Sequence, residues 1–393
     1  WVLHYNKSNQ GMDCMVTHPC FIETVLKEVL KAKPRRVIIG DAPIQECDFQ
    51  ALVSQKWIDK VKAIAHPTRL DVVDFRRKIC RVSKWSFKVD QGLKDMSSFI
   101  LFDLASKSLL DPISLSTGQF RVTNYDPDEL IKTHRPGLHQ YLLCREVFEA
   151  DIIINLPKLK THHKAGVTAA LKNMVGINGE KDYLPHHRLG GSVHGGDCYE
   201  GNKPLKRFAE YFMDNANRRI NKATYFAWQK GASFCLRLNR ILFGEDDLTG
   251  GWYGNDTVWR MVLDLNRILV YGRSDASLSL SPLRRIYSLT DGIIAGERMG
   301  PLTPEPVNLG AVTFASSSAF ADLLHTALMH FDWRKIPLVK SAFHKFSYQI
   351  TRYDPAEIQV HVQGNKLSLE HVAATFGQNF KPPNGWEGHI EMD

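Results

Sequence analysis

Apolar and polar positions alternate in two rhythms along the first part of the chain. In FIETVLKEVLKA (21–32) apolar residues recur three and four positions apart, the period of a helix with one buried face, and Pro19 suits its first turn. RVIIGDAP (36–43) is a short continuous apolar run of strand length. CDFQALVSQKWIDKVKAIA (47–65) returns to the helical period, and RLDVVDFRR (69–77) to a strand. Strands alternating with helices predict βαβ units, hence an α/β fold: a mainly parallel, Rossmann-like sheet flanked by helices. No GxGxxG follows any of these strands, so a dinucleotide site is not supported.

Further on, KICRVSKWSFKV (78–89), FILFDLAS (99–106) and GQFRVTNY (118–125) read as strands of a more irregular, partly antiparallel portion. An apolar strand runs from Asp151 to Leu156. Residues 203–243 have a helical pattern, as does DTVWRMVLDLNRILV (256–270), where Val258, Val262, Leu265 and Leu269 share one face and Arg260, Asp264 and Arg267 another. RRIYSLTDGIIAGERMGP (284–301) reads as a strand ending in a Gly-rich turn, VNLGAVTFAS (307–316) as a further strand and SAFADLLHTALMHF (318–331) as a helix. A last strand, EIQVHVQG (357–364), precedes a polar tail. This pattern divides the chain into an α/β core with site loops (1–198), a basic helical insertion (199–272) and a second α/β portion that completes the core (273–393).

The chemistry gathers just past the Asp151–Leu156 strand, where open α/β sheets place their sites. Lys158, Lys160, His162, His163, Lys164 and Lys172 fall within fifteen residues. A helix beginning near Gly166 would add free N–H groups to these cations and make an anion site. His162 suits proton transfer near neutral pH, and a desolvated Lys172 suits a nucleophile, a covalent anchor or a phosphate clamp. Lys158, Lys160, Thr168, Asn173 and Arg188 are the expected substrate ligands. A second cluster, His186, His187, His194, Asp197 and Cys198, has the composition of a divalent-metal site, although its spacing matches no standard zinc pattern. Glu297, in the expected turn, is a further carboxylate base or a partner for one of the lysines, and Asp41 at the end of its strand has a similar standing.

Charge sharpens the picture. Of the net charge of +8, nine basic residues against Glu210 and Asp214 lie between Lys203 and Phe243, so the basic balance belongs to one segment. Such helices ordinarily pack their aromatics into the core while lysine and arginine stems reach outward; contact with a polyanion or an anionic surface is the alternative. Charge alone is no motif for sequence-specific nucleic-acid binding. Seven scattered cysteines without a CxxC pair argue against an iron–sulfur or zinc-ribbon site and fit buried thiols of a reduced compartment. No apolar run reaches bilayer-spanning length and no signal peptide is visible, so a cytoplasmic setting is expected. WVLHY at the start reads as the middle of a strand, so the natural chain is expected to begin earlier.

NLPKLKTHHKAGVTAALKNMVG resembles the signature of the uncharacterised family called domain of unknown function 362, and LTDGIIAGERMGP its second signature. HRLGGSVHGGDCYE, GNDTVWRMVLDLNRIL and GWEGHIE resemble its longer members. The resemblance implies an α/β fold and no particular reaction. One departure stands at 315–322, where the family has an Asp-Pro pair followed four residues later by aspartate; this chain has Ser317-Ser318 and keeps Asp322. More distantly, His162, Ala165-Gly166, Thr168, Lys172 and His187 are spaced in a way that resembles the lactate racemases, while Asn173 departs from them. That resemblance implies Lys172 as anchor of a nickel-pincer nucleotide, His187 or His186 as metal ligand and His162 as acid/base. The expectation is thus an enzyme using His162, Lys172 and His187 for proton transfer or metal-assisted isomerisation or racemisation of a small anionic, oxygenated substrate. The alternative is a non-catalytic binding protein for an anionic ligand or polymer.

Overall fold

The computed structural model describes residues 1–4, 12–81, 89–91, 93–218, 221–244 and 247–392. Its first part follows the periodicity. Helix α1 (Pro19–Leu30) starts at a proline, with His18 Nδ1 accepting from the Cys20 N–H at 3.2 Å, and buries Ile22, Val25 and Leu26. Strand β1 (Arg36–Asp41) and strand β2 (Arg69–Asp74) pair in parallel, joined by helix α2 (Gln55–Ala65), which Ser54 caps. Leu26, Val61, Ala65 and Leu70 seal this βαβ unit.

The rest of the fold is mixed. Strands β3 (Phe99–Asp103) and β4 (Leu138–Cys144) are antiparallel. The central sheet holds β5 (Ile152–Asn155), β6 (Lys158–His162), β7 (Gly166–Thr168), β8 (Arg285–Met299), β9 (Thr303–Val307) and β10 (Ala311–Ala315). Strand β8 is its axis: β5 and β6 pair with it in parallel, β9 and β10 antiparallel, and β7 pairs antiparallel with β6. The protein is therefore α/β, but the expected mainly parallel Rossmann-like sheet is replaced by a mixed one. The physical reason is local. After β6 the chain doubles back in a hairpin at Gly166, whose φ of +77° favours glycine and where a Cβ would crowd Ile336 and Trp386 at 3.3 Å. The helix expected to begin there does not form, and Val167 and Thr168 enter a strand that suits their branched side chains.

Strand β8 also runs through Asp291-Gly292, where the sequence reads as a turn. Gly296 lets neighbouring strands close in, since a Cβ there would lie 2.8 Å from Pro304 Cβ and 3.0 Å from Lys160 Cβ. The strand expected over 78–89 has its centre, 82–88, outside the described residues; its flanks Ile79–Arg81 and Val89–Gln91 pair antiparallel.

Helices α3 (Pro204–Asn217) and α4 (Lys222–Phe243) pack on each other through Phe212 and Trp228, whose ring centres are 5.7 Å apart, with Phe212 also against Gly231. Helix α5 (Val258–Tyr271) is the central core helix. Its Asp264 and Arg267, on the face opposite the apolar one in the sequence pattern, are also buried and are paired at 2.7 Å, and Asp264 also accepts from Tyr141 Oη, Ser108 Oγ and the Leu109 N–H. Helix α6 (Ser318–Leu328) is almost wholly buried and sends Asp322 toward the segment after β7.

Candidate functional site

The segment after β7 is built to hold Lys172. Asp322 accepts the Ala170 N–H at 2.7 Å and the Leu171 N–H at 2.9 Å, and its other contact is His325 Nδ1 at 3.1 Å. Asn266 Nδ2 donates to Leu171 O at 3.0 Å, and Asn155 Nδ2 to Ala170 O at 2.9 Å. Asn173 Nδ2 donates to Asn155 Oδ1 at 2.6 Å. Side chains from three other elements thus brace the turn on both sides of Lys172, which opens a 3-10 segment to Ile177.

Lys172 itself is 7% exposed, and among the described residues no hydrogen bond or ion pair holds its ammonium. The charges acting on it are of its own sign, those of Lys181 and Lys164. Burial first, then these two cations, bring its pKa down to about 7. Burial likewise brings Lys181 and Lys164 to about 8, although Lys181 has Asp41 near it and donates to Val175 O at 3.2 Å, and Lys164 donates to Thr123 Oγ1 at 2.8 Å. Asp41 sits at about 6, raised by burial and held down by Lys181 and by the Leu3 N–H that it accepts at 3.0 Å.

The imidazoles around this amine are neutral. Burial drives His162 and His186 well below their ordinary value, with the Lys172 charge adding to the effect on both, and His163 falls to about 4 for the same first reason. His162 Nδ1 accepts the Lys164 N–H at 3.0 Å, and its ring stacks on His163 with centres 5.2 Å apart. His163 Nδ1 donates to Gly300 O at 3.0 Å, and His186 Nδ1 to Leu184 O at 2.6 Å. His4, from the start of the described chain, feels Lys160, Lys172 and Lys181 and is also held neutral, by burial above all. Several buried polar atoms lack partners among the described residues: His4 Nδ1, Thr168 Oγ1 and His187 Nδ1. His187 responds to Lys164 and Arg121 after burial, and pairs in register with Arg121.

Other expected residues have different tasks. Lys158 is buried and paired to Asp291 at 2.9 Å, directly across the β6–β8 register, so it is a structural ion pair instead of an open anion ligand. Lys160 is fully buried and donates to Met15 O; burial, then Lys158, pulls its pKa well down. Glu297 accepts the Lys381 N–H at 2.8 Å from within β8, and the partner of a site lysine is Asp291. Arg188 is half-buried beside Asp197, with Nε 3.5 Å from Oδ2.

The expected metal set does not assemble. His194 is exposed, while Asp197 is buried and saturated by Thr257 Oγ1 at 2.6 Å, the Asp256 N–H at 3.0 Å and the Arg188 N–H. His186 has committed Nδ1 to a backbone carbonyl. Cys198 is buried, and its thiol is pushed well up by burial and by Glu210. Among the described residues no three His, Cys, Asp or Glu side chains gather as metal ligands. These donors do not fit a divalent metal or the metal of a nickel-pincer group, because the carboxylate and His186 are spent on local structure and His194 is turned to solvent.

Lys181, His4 and Asp322 are the members that the sequence did not disclose as a site. Of these only Asp322 gave a signal, as the aspartate of the family pattern that this chain keeps. A groove of about 830 Å³ opens beside α1 and β8, but its walls include Phe21, Val25, Leu289, Ile293 and Phe314, and it reaches Lys158 and Asp291 without reaching Lys172. Its apolar lining does not suit a small anion.

The family model for a domain of unknown function (DUF362) matches residues 102–322, more than half of the chain. The chain belongs to this family. The matched span reaches from β3 through the braced turn and β8 to Asp322, so both halves of the Lys172 support lie inside the DUF362 region. No curated protein and no solved structure matches the chain, and the resemblance to lactate racemases is not shown by these comparisons.

Proposed function

We propose that this DUF362 protein is an enzyme that moves a proton on a small, oxygenated, anionic substrate, in an isomerisation- or racemisation-type reaction. The observation that carries the reading is Lys172, a buried amine on a braced turn with only like charges acting on it. A buried, uncompensated ammonium is costly, so such a site either neutralises or takes up an anion. With its pKa about 7, Lys172 is close to half deprotonated at neutral pH, accepts a proton as a base and returns it as an acid. Lys164 and Lys181, at about 8, stay largely cationic and draw in the anion. The neutral imidazole of His162 supplies a second proton carrier, and the unpartnered Thr168 hydroxyl is a ready ligand for a substrate oxygen. No step is routed through a metal, because the donors expected to hold one are otherwise engaged. We place this chemistry in the cytoplasm, in keeping with the free, mostly buried cysteines of the described chain; no described helix is long and apolar enough to cross a membrane.

The test is solvent exchange. The protein is incubated in D2O with a panel of 2-hydroxy and 2-oxo carboxylates and their phosphate esters, and proton NMR follows loss of the signal next to the carboxylate. At least one member should exchange, and Lys172→Met should slow it by roughly 10²-fold or more, with His162→Ala also slowed. Exchange at the wild-type rate in Lys172→Met sinks the assignment. Anion binding without exchange across the panel would turn the reading to a non-catalytic anion-binding protein.

A further inference from the structure

The helical hairpin of α3 and α4 turns its apolar side chains outward. Phe212 and Trp228 pack between the helices, but Phe234 is 69% exposed and Ile241 71%, and Phe208, Tyr211, Leu242 and Phe243 are exposed as well. The expectation that these aromatics are buried in the core therefore fails for most of them. On α4 the exposed positions 230, 234, 237 and 241 are spaced by four, three and four residues, so they form one stripe along the helix, alternately basic and apolar: Lys230, Phe234, Arg237, Ile241.

The charge of the hairpin is sorted by side. Helix α4 contains no acidic residue over its 22 positions, against Lys222, Lys230, Arg237 and Arg240. The two acids of the segment lie on α3 and face the body: Glu210 is buried and accepts from the Gly190 N–H at 2.8 Å and Tyr199 Oη at 3.2 Å, and Asp214 pairs with Arg121 at 2.8 Å. Lys206 is buried beside the Tyr199 ring, so this inward base of α3 faces the same side as the acids. What remains outward on α4 carries no negative charge and is cationic and apolar apart from the exposed hydroxyls of Thr224 and Ser233.

From this sorting we infer that the α3–α4 hairpin is a docking surface for an anionic lipid bilayer, with α4 lying in the plane of the interface. Phe234 and Ile241 enter the boundary between headgroups and acyl chains, and Lys230 and Arg237 beside them meet lipid phosphates. A soluble polyanion would satisfy the bases and leave the phenylalanine and isoleucine side chains in water. An apolar protein partner would satisfy the side chains and bury the bases. A bilayer with anionic headgroups satisfies both at one depth. The ties of α3 to the body through Glu210 and Asp214 would then hold the Lys172 site at a constant distance from the membrane. The inference stands independently of the reaction proposed above.

Flotation with vesicles tests it. The full chain is mixed with vesicles of phosphatidylcholine alone or with about one third phosphatidylglycerol, at low and high salt. Wild type should float with the anionic vesicles, lose most binding at high salt and float poorly with neutral ones. Lys230→Glu/Arg237→Glu should weaken binding by roughly ten-fold or more, since each basic side chain near the surface contributes about five-fold. Phe234→Ser/Ile241→Ser should weaken it comparably; being exposed, these positions should leave the melting temperature and the Lys172 titration unchanged. Absence of flotation overturns the inference, as does retention on RNA without vesicle binding. Binding that the apolar pair of substitutions leaves intact also overturns it, because charge alone would then account for the interaction.

Discussion

Two lysine-rich regions of this protein use the same charge in opposite solvents. Around Lys172 the amines are buried, and desolvation brings them toward neutrality, so that a small change in pH or a bound anion changes their state. On α4 Lys230, Arg237 and Arg240 are exposed and face whatever approaches from solution. The difference lies in the surrounding matter: a clamped backbone and buried neutral imidazoles in the first case, water in the second. Buried charge makes chemistry, whereas exposed charge makes attraction.

That contrast is broken most severely at the ion pair beneath the site. Asp291→Ala leaves Lys158 buried without its partner and should cost about 3–5 kcal/mol in urea denaturation, with much of the loss restored in a Lys158→Met/Asp291→Leu double variant. An equal loss in the double variant would mean that packing, and not the charge, is what Asp291 supplies.

Lys172 should behave the other way. Its folded pKa of about 7 lies below the ordinary 10.5, so the folded state releases this proton first and the group's contribution to stability rises between pH 7 and 10.5. Below pH 7 both states are protonated and the folded protein carries the whole penalty. Lys172→Met should therefore stabilise the protein at or below pH 7, on the order of a few kcal/mol, and flatten that alkaline rise in denaturation curves taken at several pH values. Destabilisation by this substitution would show that an acceptor holds the ammonium after all.

Glu210 provides the mirror image on the inward side of the hairpin. Burial raises its folded pKa to about 7 from 4.5, so its contribution is fullest below pH 4.5 and is lost as pH rises to 7. Glu210→Gln should remove that slope, worth on the order of 3 kcal/mol, while wild type and variant converge in acid. A slope unchanged in the variant would assign the titration to another group. The smallest effect belongs to the exposed stripe: Arg237→Glu should shift stability by no more than about 0.5 kcal/mol in the same denaturation assay. A larger loss would show that the outer face of α4 packs on something.

Much of this was legible along the chain, and the particular residues show why. The helix–strand rhythm over 21–77 is local, and α1, β1 and β2 appear close to where periodicity puts them, while the helix expected over 47–65 breaks at Val53-Ser54 into Phe49–Leu52 and α2. The density of lysine and histidine after Asp151 marks the neighbourhood of the site. The hairpin at Gly166 is hidden because a glycine before branched residues fits a helix start as well as a turn, and only the fold, in which Gly166 takes a φ of +77° and pairs with His162, decides between them. The strand through Asp291 is hidden because glycines that let strands approach look, in one dimension, like glycines that let a chain bend. Lys158 and Lys172 are equivalent as letters. One meets Asp291 across a strand register, 133 positions away, and the other meets only cations.

Sequence alone therefore determined the elements of the first part, the segment that carries the basic charge and the stretch where the chemistry lies, since these depend on neighbours a few residues apart. Contacts between distant segments assigned the roles: Lys158 to an ion pair, Asp197 to a saturated structural carboxylate, Lys172 to an uncompensated amine, and Phe234 and Ile241 to water instead of the core. A side chain's pKa and its exposure are properties of what surrounds it in space, and that surrounding is assembled from parts of the chain that no local pattern connects.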